Sequence, residues 1–272
     1  MLKLGIVGDI HCGPDTEEML GSRCPGMLET FDEAMRRFRP RAIIDLGDRI
    51  NDVAAGQDRQ RSAWVRRQLL GTGVPVLHIH GNHDVVNLTK TELDGTLEKH
   101  GPYESVDLDG VRIILLDSQD PSADRTGGEI GPEQQKWLRA AVTDSAHPIL
   151  VFCHHPLDEQ SIDGHWYFSE HPTHAFVHNR ASVRRILEQS GRVRAVFSGH
   201  LHWTRMTEVN GIPYVTLGSL VSAGFTNGRP AGTFASVSVR DTAIDVQVAG
   251  LLPDSFRLAG RHGRPAREGS DR

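Results

Sequence analysis

The run Val74-Pro75-Val76-Leu77-His78-Ile79-His80-Gly81-Asn82-His83-Asp84 decides the fold. Its first half, residues 74–79, is a short apolar stretch that suits a buried strand. Gly81 then permits a sharp turn. Asn82, His83 and Asp84 follow at once, three side chains able to ligate a metal or carry a proton. Glycine, asparagine and aspartate are also the ordinary residues of turns. The choice between a plain turn and a site at a strand's end therefore rests on what other strands deliver to the same place. His78 and His80 share one face of the strand and are read as structural.

Upstream, residues 2–8 form another short apolar run, and it ends in Asp9-Ile10-His11. Residues 28–38 then put Leu28, Phe31, Ala34, Met35 and Phe38 on one helical face, with Pro40 as the stop. The apolar run Ala42-Ile43-Ile44 leads to Asp45-Leu46-Gly47-Asp48, and residues 60–70 read as a helix before the strand at 74–79. Strand, helix and strand with a carboxylate at each strand end is a βαβ pattern. Such units make parallel sheets whose ligand sites lie beyond the carboxyl ends of the strands.

Downstream the pattern continues with a helix at 92–100 and a hairpin, 103–108 and 111–116, turning on Asp109-Gly110. Residues 118–130 read as a polar, exposed loop, and Pro132 opens a helix at 133–142. A strand at 149–153 ends in His154-His155-Pro156, and one at 193–197 leads to Ser198-Gly199-His200-Leu201-His202, after a helix at 182–189. Between them, residues 157–178 show no period but hold Trp166, Tyr167 and Phe168 together with four histidines. A long irregular segment inside a domain is commonly functional or mobile. Asn210-Gly211 joins strands at 205–209 and 212–217, and 234–239 pairs with 243–248 across Arg240-Asp241-Thr242. The expected organisation is one domain over residues 1–253, followed by an exposed, partly disordered tail from 254 to 272 that is rich in Arg, Gly and Pro.

The 272 residues carry 30 basic and 35 acidic side chains, a net charge of −5. That balance speaks against a grip on polyanions along the whole surface, so no nucleic-acid polymer is expected as a partner and any phosphate affinity should be local. The N-terminal apolar run is too short for a secretory core or a bilayer span, and no later stretch is long enough, which gives a soluble, cytoplasmic expectation with no membrane partner. Cys12, Cys24 and Cys153 are an odd, scattered set without a C-x-x-C pattern, so reduced thiols are expected rather than a disulfide framework or zinc knuckle.

Five strands thus end in Asp9-x-His11, Gly47-Asp48, Gly81-Asn82-His83-Asp84, His154-His155-Pro156 and Gly199-His200-x-His202. Singly, each has a plain reading: Asp9 and Asp48 as helix caps, His154 as a core imidazole, His200 and His202 as neighbours on a strand face. Together, at one edge of one sheet, they describe a metal site. Carboxylate, imidazole and amide donors without thiolates suit Mn, Fe or Zn. The donor count fits two ions sharing a carboxylate, and a pair about 3.5–4 Å apart lowers the pKa of a bound water and holds phosphoryl oxygens.

The ordered set Asp9-x-His11, Gly47-Asp48-Arg49-Ile50-Asn51, Gly81-Asn82-His83-Asp84, His154-His155-Pro156 and Gly199-His200-Leu201-His202 resembles the calcineurin-like metallophosphoesterase family. The resemblance implies a four-layer α/β/β/α sandwich. It implies that Asp9, His11, Asp48 and His202 ligate one metal and that Asp48, Asn82, His154 and His200 ligate a second, with Asp48 bridging. His83 resembles the residue that contacts the phosphate and protonates the leaving oxygen, with Asp84 orienting it. Asn51 stands where the family often has Asp, and His80 where Pro is frequent.

The activity implied is hydrolysis of a phosphate ester by attack of a metal-bound hydroxide. The first expectation for substrate is a nucleotide-like or other small phosphodiester, in likeness to the bacterial cyclic-nucleotide phosphodiesterase branch. A phosphomonoesterase is the alternative, and a non-catalytic metal-binding interaction scaffold is an alternative of another class. His155, His165, Trp166, Tyr167 and Trp203 are the candidates for substrate contact, since aromatic rings stack on bases and imidazoles meet phosphates. His155 also suits a supporting role, and His174 and Arg180 are further candidates for the phosphate. Metal identity, oligomeric state and natural substrate are not written in these motifs.

Overall fold

Strands apolar on both faces alternate with helices apolar on one, and this forces layers. The computed structural model describes residues 1–121 and 126–259. Strands β1 (Leu2–Val7), β2 (Ala42–Asp45) and β3 (Val76–His78) run parallel, linked by α1 (Cys24–Phe38) and α2 (Ala55–Leu70). The helix α3 (Lys90–Leu97) leads to the antiparallel pair β4 (Glu104–Leu108) and β5 (Val111–Leu116). Two short strands, β6 (Gln119–Asp120) and β7 (Glu129–Ile130), precede α4 (Pro132–Thr143), β8 (Ile149–Cys153), α5 (Arg180–Gln189) and β9 (Val193–Ser198). Then come β10 (Arg205–Val209), β11 (Ile212–Thr216), β12 (Phe234–Val239), β13 (Ala243–Ala249) and β14 (Asp254–Ala259).

Twelve of these strands form two six-stranded sheets, ordered β14-β13-β12-β1-β2-β3 and β10-β11-β9-β8-β5-β4, and β6 and β7 pair separately. The inner faces pack on each other through Leu4, Ile6, Ile44, Val237 and Val246 from the first and Ile113, Leu150, Phe152, Phe197 and Val215 from the second. Phe152 and Phe197 stack at 5.2 Å with 13° between the rings. Leu28, Phe31 and Met35 of α1 and Val65 and Leu69 of α2 cover the outer face of the first sheet. Leu138 and Val142 of α4 with Val183, Ile186 and Leu187 of α5 cover that of the second. This is the expected α/β/β/α sandwich. No helix among the described residues is long and apolar enough to cross a membrane.

The two hairpin turns read from Asp-Gly and Asn-Gly are present, with φ of 47° and 79° at Asp109 and Gly110 and 50° and 75° at Asn210 and Gly211. Three expectations need correction. The tail expected from residue 254 begins with a strand, because β14 pairs with β13 in register Ala243↔Ala259 to Val248↔Asp254; its charged, Arg-containing sequence marks an edge strand. Residues 260–272 lie outside the described residues. The loop expected to be exposed at 118–130 is anchored at both ends, since β6 and β7 pair and Ser118 and Gln119 are buried. The helix expected at 60–70 starts at Ala55. Asp58 secures this earlier start, accepting from the backbone N–H of Val53 and Ala54 at 2.9 and 3.3 Å.

Candidate metal centre

All five motif-bearing strands belong to the parallel parts of the two sheets, so their carboxyl ends reach the same edge. Hydrogen bonds lock the segments beyond them together. Asp9 and His11 donate their backbone N–H to Gly47 O and Asp48 O, both at 2.9 Å, and Gly199 donates to His154 O at 3.0 Å. Across the sheets, His154 Nδ1 meets Leu46 O at 2.8 Å, and the Asp9 carboxylate accepts from the backbone of His200 at 3.0 and 3.1 Å. The glycines are needed for this closeness. A Cβ on Gly81 would lie 2.1 Å from Asp48 Oδ1, and one on Gly199 would lie 2.3 Å from Asp9 Oδ2.

The backbone is strained where the donors sit. Asp9, His11, Asp48, His200 and His202 all have positive φ, at 48°, 43°, 51°, 69° and 55°. Side chains other than glycine reach that region at a cost of order 1 kcal/mol or more each, and such residues gather at functional sites. Here the strain turns five donors inwards from strand ends that would otherwise alternate.

The donor atoms converge. His202 Nε2 lies 3.4 Å from Asp9 Oδ1 and 3.1 Å from His11 Nε2. His154 Nε2 lies 3.3 Å from Asp48 Oδ2 and 3.1 Å from Asn82 Oδ1, and His11 Nε2 is 3.8 Å from Asp48 Oδ2. Asp48 therefore stands between an Asp9–His11–His202 group and an Asn82–His154 group. His200 closes the second group with His154, and its Nε2 is occupied by the backbone carbonyl of His174 at 2.9 Å. The Nδ1 atoms of His11 and His202 are buried without partners among the described residues, while their Nε2 atoms face each other at 3.1 Å. A cation bound by both Nε2 atoms would satisfy that contact. The residues present fit two ions held by carboxylate, imidazole and amide donors.

Electrostatics agree. Burial holds His11 and His200 well below the usual imidazole range, in the neutral form that ligates metals. Burial works against charge on Asp48, but His154 and His83 outweigh it and keep the carboxyl well below its ordinary value. Burial also opposes protonation of His154, yet the Asp48 carboxylate raises it to about 9, so a cation bound there displaces a proton.

His83 stands at the wall of the same cavity, its backbone N–H bonded to Asp48 Oδ1 at 2.8 Å and its ring 5.0 Å from that of His11. Its Nδ1 is held by Asp52 Oδ1 at 2.5 Å. This corrects the expectation for Asp84. The Asp84 carboxylate accepts instead from the backbone N–H of Asp48, Arg49 and Gly81 at 2.9, 3.0 and 3.0 Å, and pairs with Arg49 Nη1 at 2.6 Å. Arg49 is fully buried and pairs on its other side with Asp45 at 2.5 Å. Asp84 is thus part of a buried brace that joins the Gly47-Asp48 and Gly81-Asn82 turns. Asp52 and Arg49 were missed by reading motifs position by position. Asn51 fills the place where an acid was sought, while its side chain binds Pro14 O at 2.9 Å, and the acid stands one residue later.

The cavity has a volume of about 450 Å³, and Met19, Trp166, Tyr167 and Phe168 form its apolar wall. Trp166 is 40% exposed, and Gly224 makes room for its edge, since a Cβ there would lie 2.5 Å from Trp166 Nε1. The other candidates for substrate contact lie elsewhere. His165 is buried, with Nε2 on Leu201 O at 2.8 Å and Nδ1 accepting from the backbone of Tyr167 and Phe168 at 3.1 Å. Trp203 is buried and donates to Gln160 Oε1 at 2.9 Å, and His155 is buried between Ser118 Oγ at 2.8 Å and Thr126 O at 2.7 Å. His174 binds the Tyr167 hydroxyl at 3.0 Å, and Arg180 pairs with Glu159 at 3.0 Å. His165 and His174 thus brace the aromatic segment through Tyr167 and Phe168.

The matches to known proteins agree with this geometry. A cAMP/cGMP dual specificity phosphodiesterase of Mycobacterium tuberculosis is 28% identical over 225 residues, 79% of this chain and 65% of its own length. A probable cyclic nucleotide phosphodiesterase of Rhodococcus erythropolis is 28% identical over 64% of this chain and 56% of its own length. The chain thus spans under two thirds of these curated relatives. Among solved structures, a dimetal phosphatase from Danio rerio superposes with a TM-score of 0.76 at 16% identity, covering 95% of this chain and 98% of that one. The family model described as calcineurin-like phosphoesterase matches residues 2–204, the stretch that holds every strand-end motif above, and the chain belongs to that family.

Proposed function

We propose that the chain is a binuclear metal-dependent phosphodiesterase acting on a small, nucleotide-like diester. The observation that carries this reading is the convergence of the donor atoms of Asp9, His11, Asp48, Asn82, His154, His200 and His202 beside a cavity that Asp48, Asn82, His200, His202 and His83 line. Two ions of the Mn, Fe or Zn class would be held by Asp9, His11, Asp48 and His202 on one side and by Asp48, Asn82, His154 and His200 on the other. Bound there, they supply Lewis acidity toward the phosphoryl oxygens and an activated water.

The protein's own groups do the rest. Asp52 accepts from His83 Nδ1–H and holds the ring in place, so that in the imidazolium form Nε2–H is left to meet the phosphate and hand its proton to the departing oxygen. Burial opposes charge on His83, but Asp48 and Asp52 raise it to about 9, the form able to donate. The Arg49–Asp84 brace keeps both turns in place while charge changes above it. Trp166 and Tyr167 offer a flat apolar face suited to a base, and the named activities of the Mycobacterium and Rhodococcus relatives support that choice.

Metal analysis paired with hydrolysis of bis(p-nitrophenyl) phosphate and p-nitrophenyl phosphate tests the proposal. Two transition-metal ions per chain and faster turnover of the diester are expected. Faster turnover of the monoester assigns the centre to phosphomonoesters instead, and metal binding with no turnover of either marks a scaffold.

A further inference from the structure

A second cavity, of about 430 Å³, opens on the other side of Asn82. It shares Asn82 and Val86 with the metal-centre cavity, so the two meet beside a residue placed to ligate the metal. Their walls differ. The first is apolar and largely aromatic, with Met19, Trp166, Tyr167 and Phe168, whereas the second sets Asn87, Thr89, Lys90 and Gln119 beside the aliphatic Val85 and Leu88 and holds the one ammonium among the described residues of the two walls.

Two of those polar groups have capacity to spare. The Lys90 ammonium is held by the Asp117 carboxylate and by Gln119 O, which uses two of its three donors, and its side chain remains 31% exposed. Both polar atoms of the Gln119 amide are buried without partners among the described residues. A buried amide without partners is costly, and a fold that needed only filling there would be better served by an apolar side chain.

A phosphodiester has two ester arms on opposite sides of its phosphorus. Resting on the phosphodiesterase reading above, we propose that the substrate is an acyclic diester that spans both cavities, with a planar arm on Trp166 and Tyr167 and a polar, anionic arm in the Lys90–Gln119 cavity. Lys90 recognises the negative charge of that second arm, and Gln119 turns its amide to the arm's hydroxyl or phosphoryl oxygens. A 3′,5′-cyclic nucleotide carries both ester bonds on one sugar and fills only one cavity.

The test uses the full chain loaded with manganese and four diesters: bis(p-nitrophenyl) phosphate, the dinucleotide ApA, its 5′-phosphorylated form pApA and 3′,5′-cyclic AMP. The wild type should show kcat/KM for pApA above that for ApA by about tenfold, the size of one charge-assisted contact. Lys90→Met should remove that preference while leaving bis(p-nitrophenyl) phosphate turnover within about twofold, the mark of an intact metal centre. Gln119→Leu should weaken both dinucleotides with no loss of Tm, because it removes a buried amide that has no partner. Equal kcat/KM for ApA and pApA, a Lys90→Met variant that keeps the preference, or a higher kcat/KM for 3′,5′-cyclic AMP than for pApA overturns the proposal. Failure of the phosphodiesterase reading is seen separately, as no turnover of any diester. In that case calorimetric titration of pApA and ApA into wild type and Lys90→Met still decides, since equal affinities rule the second cavity out as an anionic subsite.

Discussion

The floor and the wall of the cavity are built from opposite materials. Beneath the metal centre lies a buried run of charge, Asp45–Arg49–Asp84, with no solvent access and every partner within the protein. Above it the irregular segment 157–178 packs Phe168, Phe176 and Trp203 with Leu201 and leaves Trp166 at the surface. The floor holds geometry by directed bonds and tolerates little change, because a buried charge that loses its partner is left uncompensated. The wall holds shape by contact area, which is less directional and more forgiving.

Breaking the floor should therefore have the largest effect. Asp84→Ala removes three backbone hydrogen bonds and one partner of a fully buried arginine. A loss of about 3–5 kcal/mol in stability is expected, read as a fall in the urea midpoint at unchanged m. Metal content should fall with it, because Asp84 holds the turn that carries Asp48. A variant that keeps both its midpoint and its metal would show that the brace is not what fixes the floor.

His83 lies where floor meets wall, and its substitution separates chemistry from architecture. His83→Ala should lower kcat by about 10²–10⁴ with metal content retained. Asp52→Asn should lower kcat less, by about tenfold, and shift the alkaline limb of the pH–rate profile to lower pH, because the carboxylate that favours the protonated imidazole is gone. If Asp84→Asn rather than Asp52→Asn produced that shift with metal intact, the assignment of His83's partner would be reversed.

The sequence exposed floor and wall unequally, for a physical reason. Strand ends are short-range events: an apolar run, a glycine, then a ligand-type side chain, and so Asp9, Asp48, Asn82, His154 and His200 could be read one by one. What a motif does not encode is whether the acid beside an imidazole in sequence or one from another loop turns toward it. Asp84 follows His83 in sequence but points under the turn, while Asp52, from the far side of another loop, reaches Nδ1. The wall was legible only as composition. Trp166, Tyr167 and Trp203 look equivalent in the chain, yet Gly224 opens a seat for Trp166 at the cavity and Gln160 draws Trp203 into the interior. That sorting depends on residues 40 or more positions away. The start of the expected tail became β14 through a nearer partner, the hairpin with β13.

Wall substitutions should act on binding. Trp166→Ala should raise KM for a nucleotide diester by about tenfold, the worth of one base–aromatic stack, and leave kcat and metal content little changed. Trp203→Ala, in contrast, should lower Tm, since it empties a buried site that lies off the metal-centre cavity. Should Trp203 alter KM selectively and Trp166 not, the two tryptophans would have exchanged roles.

The smallest effect joins the two regions through pH. His78 belongs to the floor, its Nδ1 on Asp45 at 2.7 Å, and His165 to the wall, on Leu201 O. Burial pushes both down to about 4 from the ordinary 6.5. A histidine with a depressed folded pKa binds more protons when unfolded, so stability rises with pH between the two values. The contribution is complete above about 6.5 and is lost as pH falls toward 4. Between pH 7.5 and 5.5 each should cost about 1 kcal/mol, seen as a drop in urea midpoint. His11 and His200 are also kept neutral by burial and add to the same slope, so His78→Gln with His165→Gln should shrink the slope without abolishing it. An unchanged slope in that double variant would place the acid sensitivity wholly in the metal centre, and a slope reduced by one substitution alone would show which region first yields to protons.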